Sequence, residues 1–123
     1  MTLRSWFPNV YEYAIQLLTD AQKDIEDPSF KPSQAAEFVS MRMTRLYVDL
    51  RTFVRIVTRK EYESVYLAMR QYSHEVLNAT LAMHTAIEEL VTKKTEDLTT
   101  LREAHAKLMA IIQREIPTHP DLD

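Results

Sequence analysis

The chain has 123 residues, a formal net charge of -3, and neither glycine nor cysteine. Its length and 46% hydrophobic content allow one domain with a real core. The missing residue types exclude disulfides, thiolate metal sites, a cysteine nucleophile, dinucleotide fingerprints and Walker loops. Glycine also supplies the positive φ angles of tight hairpins, so the expectation is an all-α fold with short turns.

The first predicted helix covers 8–26. Pro8 suits a first helical position because its missing N–H has no partner there. Val10, Ala14, Leu17, Leu18, Ala21 and Ile25 form one apolar stripe at helical spacing. Just ahead, Trp6 and Phe7 can staple the helix start to the core or anchor a partner. Pro28 and Pro32 punctuate the following connection.

The second predicted helix covers 33–57, on a seam of Val39, Met43, Leu46, Leu50, Phe53 and Val57 spaced 4-3-4-3-4. Lys60 and Ser64 would come next, so that seam stops. Thr58 and Glu61 have the spacing of a capping box. A turn is expected near 57–60, with one bent continuous helix as the rival. The third helix, 59–91, follows a new seam through Tyr72, Val76, Ala79, Met83, Ala86 and Leu90, and would be roughly 50 Å long. In "TKKTED" two lysines close that helix, and a threonine with two acids opens the next, in the order both helix dipoles favour. The fourth helix, 95–116, buries Leu98, Leu101, His105, Leu108 and Ile112. The expected architecture is an all-α, four-helix antiparallel bundle with unequal helices, a long third helix and coiled-coil-like seams. It forms a single helical domain over 1–116, followed by a flexible tail at 117–123.

Two function classes involve charged residues. Residues 33–60 carry a net charge of +4 and residues 8–27 a net charge of -4. Arg51, Arg55 and Arg59 stand at i, i+4, i+8, with Lys60 beside them, a spacing that can follow phosphates. The acidic remainder of the chain favours a solvated flank or pairing with the acidic first helix instead. Asp20 and Asp24, with Glu88 and Glu89, raise a metal-dependent hydrolase as a third reading, and His84 with Glu88 has an i, i+4 ligand spacing. No E-x-x-H pair accompanies them, so no metal and no cofactor are expected. His105, on an apolar seam, is expected to hydrogen-bond inside the core.

The third helix is longer than the first can cover, and Tyr66, Leu77 and Ile87 widen its apolar face. The sequence therefore reads as a non-enzymatic protein–protein interaction or assembly subunit, an adaptor or small subunit of a larger complex. Its partners are itself, as a homodimer or higher oligomer, another protein, or both. The expected interface comprises Tyr66, Val76, Leu77 and Ile87, with Trp6 and Phe7. Nucleic-acid binding through the arginines is the alternative. With no signal-peptide-like run and no apolar stretch of about 18 residues, a cytoplasmic protein without a membrane partner is expected.

Overall fold

Each predicted seam becomes the buried side of a helix. In the computed structural model, which describes residues 2–57 and 66–116, the elements are α1 (Leu3–Trp6), α2 (Pro8–Glu26), α3 (Pro32–Val57), α4 (Tyr66–Val91) and α5 (Thr99–Gln113). Among the described residues there is no strand, only an isolated antiparallel bridge between Thr2 and Glu115. Nor is any described helix long and apolar enough to cross a membrane.

The four long helices form an antiparallel bundle in which each packs on the next and α5 closes against α2. Phe7 and Phe53 meet at one end of the α2–α3 pair, while Asp24 and Arg42 meet near the other. Leu18, Leu46, Leu50, Phe53, Val76, Leu101 and Ile112 are completely buried in one shared core. Burying a side chain of this size stabilises by about 1.5–3 kcal/mol. Because α3 and α4 pack against each other, they are two helices and not one bent rod. The predicted turn after Val57, with its Thr58–Glu61 capping box, lies outside the described residues, as does the tail 117–123. Described lengths of α3 and α4 are equal at 26 residues.

Three features depart from the sequence expectation. The extra helix α1 is held by reciprocal capping, in which Ser5 N–H donates to Thr2 Oγ1 at 3.1 Å and Thr2 N–H donates to Ser5 Oγ at 3.0 Å. Serine occupies the place usually taken by glutamate in such a box. The last helix begins at Thr99, not 95, because Asp97 is used as a turn. Its carboxylate accepts from Thr99 N–H at 2.9 Å and from Thr99 Oγ1 at 2.7 Å. That helix ends at Gln113, not 116, because Glu115 takes up the bridge to Thr2.

The end of α4 shows how a chain without glycine closes a helix. Lys94 N–H donates to the Glu89 carbonyl at 2.9 Å and Lys93 N–H to the Leu90 carbonyl at 3.2 Å. This is a Schellman pair, and it requires a left-handed residue. Lys93 supplies it at φ 61°, a conformation that a side-chain-bearing residue adopts at a cost of about 1–2 kcal/mol. Lys93→Gly is therefore expected to stabilise the bundle by about 0.5–1 kcal/mol, after allowing for glycine's greater freedom when unfolded. Urea midpoints will read this, with Lys93→Ala as the variant that gains nothing. Equal midpoints for the glycine and alanine variants would show that the backbone strain is relieved elsewhere.

Tyr72 gives the second test. Its ring is 1% exposed, and its hydroxyl donates to the Ile111 carbonyl at 2.9 Å. Burial pushes the phenol well above its ordinary value of 10.0, and the nearby Arg114 guanidinium pulls weakly the other way. A raised acid favours the neutral, folded form. The stabilisation is complete below pH 10 and declines above it, where the unfolded chain ionises first. Tyr72→Phe is expected to lose about 0.5–1.5 kcal/mol at neutral pH and to show a shallower loss of stability than wild type above pH 10. Parallel slopes for the two proteins would remove the link between this phenol and alkaline unfolding.

Candidate interaction surface

The arginines of α3 separate into inner and outer groups. Arg42 faces α2, with Nε 2.6 Å from Asp24 Oδ2 and a terminal nitrogen 3.7 Å from Asp20 Oδ2. Asp24 holds the Arg42 guanidinium even further toward its charged form. Arg45 lies over the Tyr13 ring at 5.1 Å. Acidic α2 and basic α3 thus pair, as their opposite net charges suggest. Arg51 and Arg55 are exposed, while Arg59, Lys60 and the side chain of Tyr66 lie outside the described residues.

Three carboxylates of α2 are engaged the same way. Asp20 and Asp24 have the cation of Arg42 beside them, and Arg102 pairs with Glu26 at 2.9 Å. Among the described residues no three histidine or carboxylate side chains are placed to hold a metal. His105 is 5% exposed and lies 2.7 Å from the Leu18 carbonyl. A carbonyl can only accept, so Nε2 carries the proton and joins α5 to α2.

Of the residues expected at an interface, Val76 and Ile87 are 0% and 4% exposed within the single chain. Both belong to the core cluster, and Ile87 also lines the groove between α3 and α4. Leu77 is half-buried at a groove. Phe7 packs edge-on against Phe53 at 5.1 Å, with Trp6 next to it at 6.2 Å, so this pair secures the start of α2.

A groove with mostly apolar walls runs between α3 and α4. Its volume is about 580 Å³, and it is lined by Ser40, Met43, Thr44, Tyr47 and Val48 on one side and by Leu77, Asn78, Thr80, Leu81, His84 and Ile87 on the other. Val48 and Leu81 are 59% and 61% exposed, and Met41, one turn before Thr44, is 71% exposed. Sequence reasoning did not single out Met41, Val48 or Leu81. The signal was present as a second 4-3-4-3-4 stripe on α3, at 37, 41, 44, 48, 51 and 55, and a matching one on α4, at 70, 74, 77, 81, 84 and 88. These stripes lie opposite the core seams and carry charges only at their ends.

A second cavity of about 490 Å³ between α4 and α5 has a polar rim, where Arg114 pairs with Glu75. Arg114 also lies over the Tyr72 ring at 5.8 Å, so these groups tie α4 to the end of α5. Comparison of the chain with family models, curated proteins and solved structures finds no match.

Proposed function

We propose that the protein is a non-enzymatic interaction or assembly subunit whose working surface is the outer face of α3 and α4. The observation that carries this reading is the exposed apolar strip of Met41, Val48 and Leu81 flanking the groove. Packed helices dock onto one another through ridges at three-and-four spacing. The two outer stripes have that spacing, and a groove between two helices accepts a helix laid along it. Tyr47, 45% exposed at the rim, adds the aromatic side chain that such contacts favour.

A photo-crosslinking amino acid at position 48 will test the reading in cells producing the protein, with position 107, exposed on α5 at the rim of the other cavity, as the control. Discrete adducts are expected from position 48 and not from 107. Leu81→Asp should abolish the position-48 adducts while moving the stability of the isolated chain by about 0.5 kcal/mol or less, since residue 81 is exposed. Identical adducts from both positions, or adducts unaffected by Leu81→Asp, would remove the α3–α4 face from consideration.

A further inference from the structure

The ends of the two outer stripes carry opposite charges. On α3, Glu37 stands at one end and Arg51 near the other; on α4, Arg70 stands at one end and Glu88 at the other. All four are exposed, and among the described residues none of them is ion-paired. Because α3 and α4 run antiparallel, with Phe53 beside Tyr72 at 6.3 Å, Glu37 and Glu88 lie toward one end of the face. Arg51 and Arg70 lie toward the other. The face is therefore acidic at one end, apolar in the middle and basic at the other end.

The spacing of these charges has a centre. Thr44 stands seven residues from both Glu37 and Arg51, and Ala79 nine residues from both Arg70 and Glu88. Counting nine residues from Phe53 and from Tyr72 brings Thr44 level with Leu81, two residues from Ala79. Two residues of helix are about 3 Å, so the two midpoints share nearly one level. A two-fold axis lying in the face at that level, across both helices, reverses the helix direction. It sets α3 on a second α3 and α4 on a second α4. Each Glu37 then meets an Arg51, each Arg70 meets a Glu88, and Leu77 meets Leu81. A two-fold axis along the helices would instead place acid on acid and base on base.

We infer that the occupant of the α3–α4 face is a second copy of this chain, related by a two-fold axis perpendicular to the helices. This rests on the proposed interaction surface and adds its partner and its geometry. An isologous contact of this kind uses every complementary pair twice. The apolar centre supplies the burial, and the charged ends choose the antiparallel arrangement over the parallel one.

Charge reversal in purified protein tests it. One variant carries Arg51→Glu and Arg70→Glu, and a second carries Glu37→Lys and Glu88→Lys. By sedimentation velocity at micromolar concentrations, wild type is expected to run as two chains. Each variant should self-associate at least about tenfold more weakly, since like charges then face each other. An equimolar mixture of the two variants should recover the two-chain species, and a chain with all four reversals should pair with itself again. A one-chain wild type overturns the inference, as does a mixture that fails to recover pairing or a pair of variants that associate as strongly as wild type. If wild type runs as one chain while the position-48 probe still captures a foreign protein in a Leu81-dependent manner, the self-pairing falls and the interaction surface stands. One chain with no such adduct removes both.

Discussion

The register of the bundle depends on Tyr72. A seam of alternating three-and-four spacing repeats along its helix, so apolar packing alone allows one helix to slide past another by a turn. The Tyr72 ring stands edge-on to Phe53 of α3, and its hydroxyl ends on the Ile111 carbonyl of α5. A slide of α5 would leave that hydroxyl buried without a partner, at a cost of about 1–3 kcal/mol, and a slide of α3 would break the ring contact. His105 does the same work on the opposite side, joining α5 to the Leu18 carbonyl of α2. Thr80 illustrates the contrast. Its buried hydroxyl donates to the Val76 carbonyl of its own helix at 2.8 Å, so it is satisfied without specifying any neighbour.

Electrostatics act at a second level, on the choice of neighbours and not on the core. Arg42 reaches two carboxylates one turn apart on α2, and Arg45 uses an aromatic face of the same helix. Partly exposed pairs of this sort are worth about 1 kcal/mol or less each. Their effect is to commit part of the positive charge of α3 to the side that faces α2. At the other side of α3 the exposed charges Glu37, Arg51 and Arg55 fall at the ends of the stripe, and Met41, Thr44 and Val48 between them leave an uncharged stretch. The quantity that matters for function is where on the helix the charges fall, and net charge conceals it.

How much of this the sequence disclosed follows from the same distinction. Core seams were legible because burial selects residue type strongly: Val39, Leu46, Leu50, Phe53, Tyr72, Met83 and Leu108 are all buried as the spacing indicates. Polar work inside the core was legible only for His105, since a histidine among leucines stands out. The start of α5 was misplaced because threonine and aspartate serve both inside a first turn and ahead of it, and only the Asp97–Thr99 geometry decides. The short helix α1 was missed because one turn carries no periodicity. On the interaction face, Ile87 is both nearly buried and part of the groove lining. Position 87 lies between the core seam and the outer stripe, and how far it joins each depends on where α3 crosses α4. The outer stripe itself escaped attention because methionine, valine and leucine at helical spacing read as core until the true core is known.

The bridge between Thr2 and Glu115 brings the two ends of the described chain together. Antiparallel helices, even in number, return the backbone to the end from which it set out, and α1 packs there against both α2 and α5. Those are the helices on the side away from the α3–α4 groove. The polypeptide is therefore close to a ring whose closure lies opposite its apolar face. Residues 2 and 116 could be joined by a short linker and the chain opened instead at Pro28–Ser29, an exposed connection, to give a circular permutant with every seam intact. For the same reason a tether at either terminus would present the α3–α4 face outward, away from the surface or protein to which it is attached.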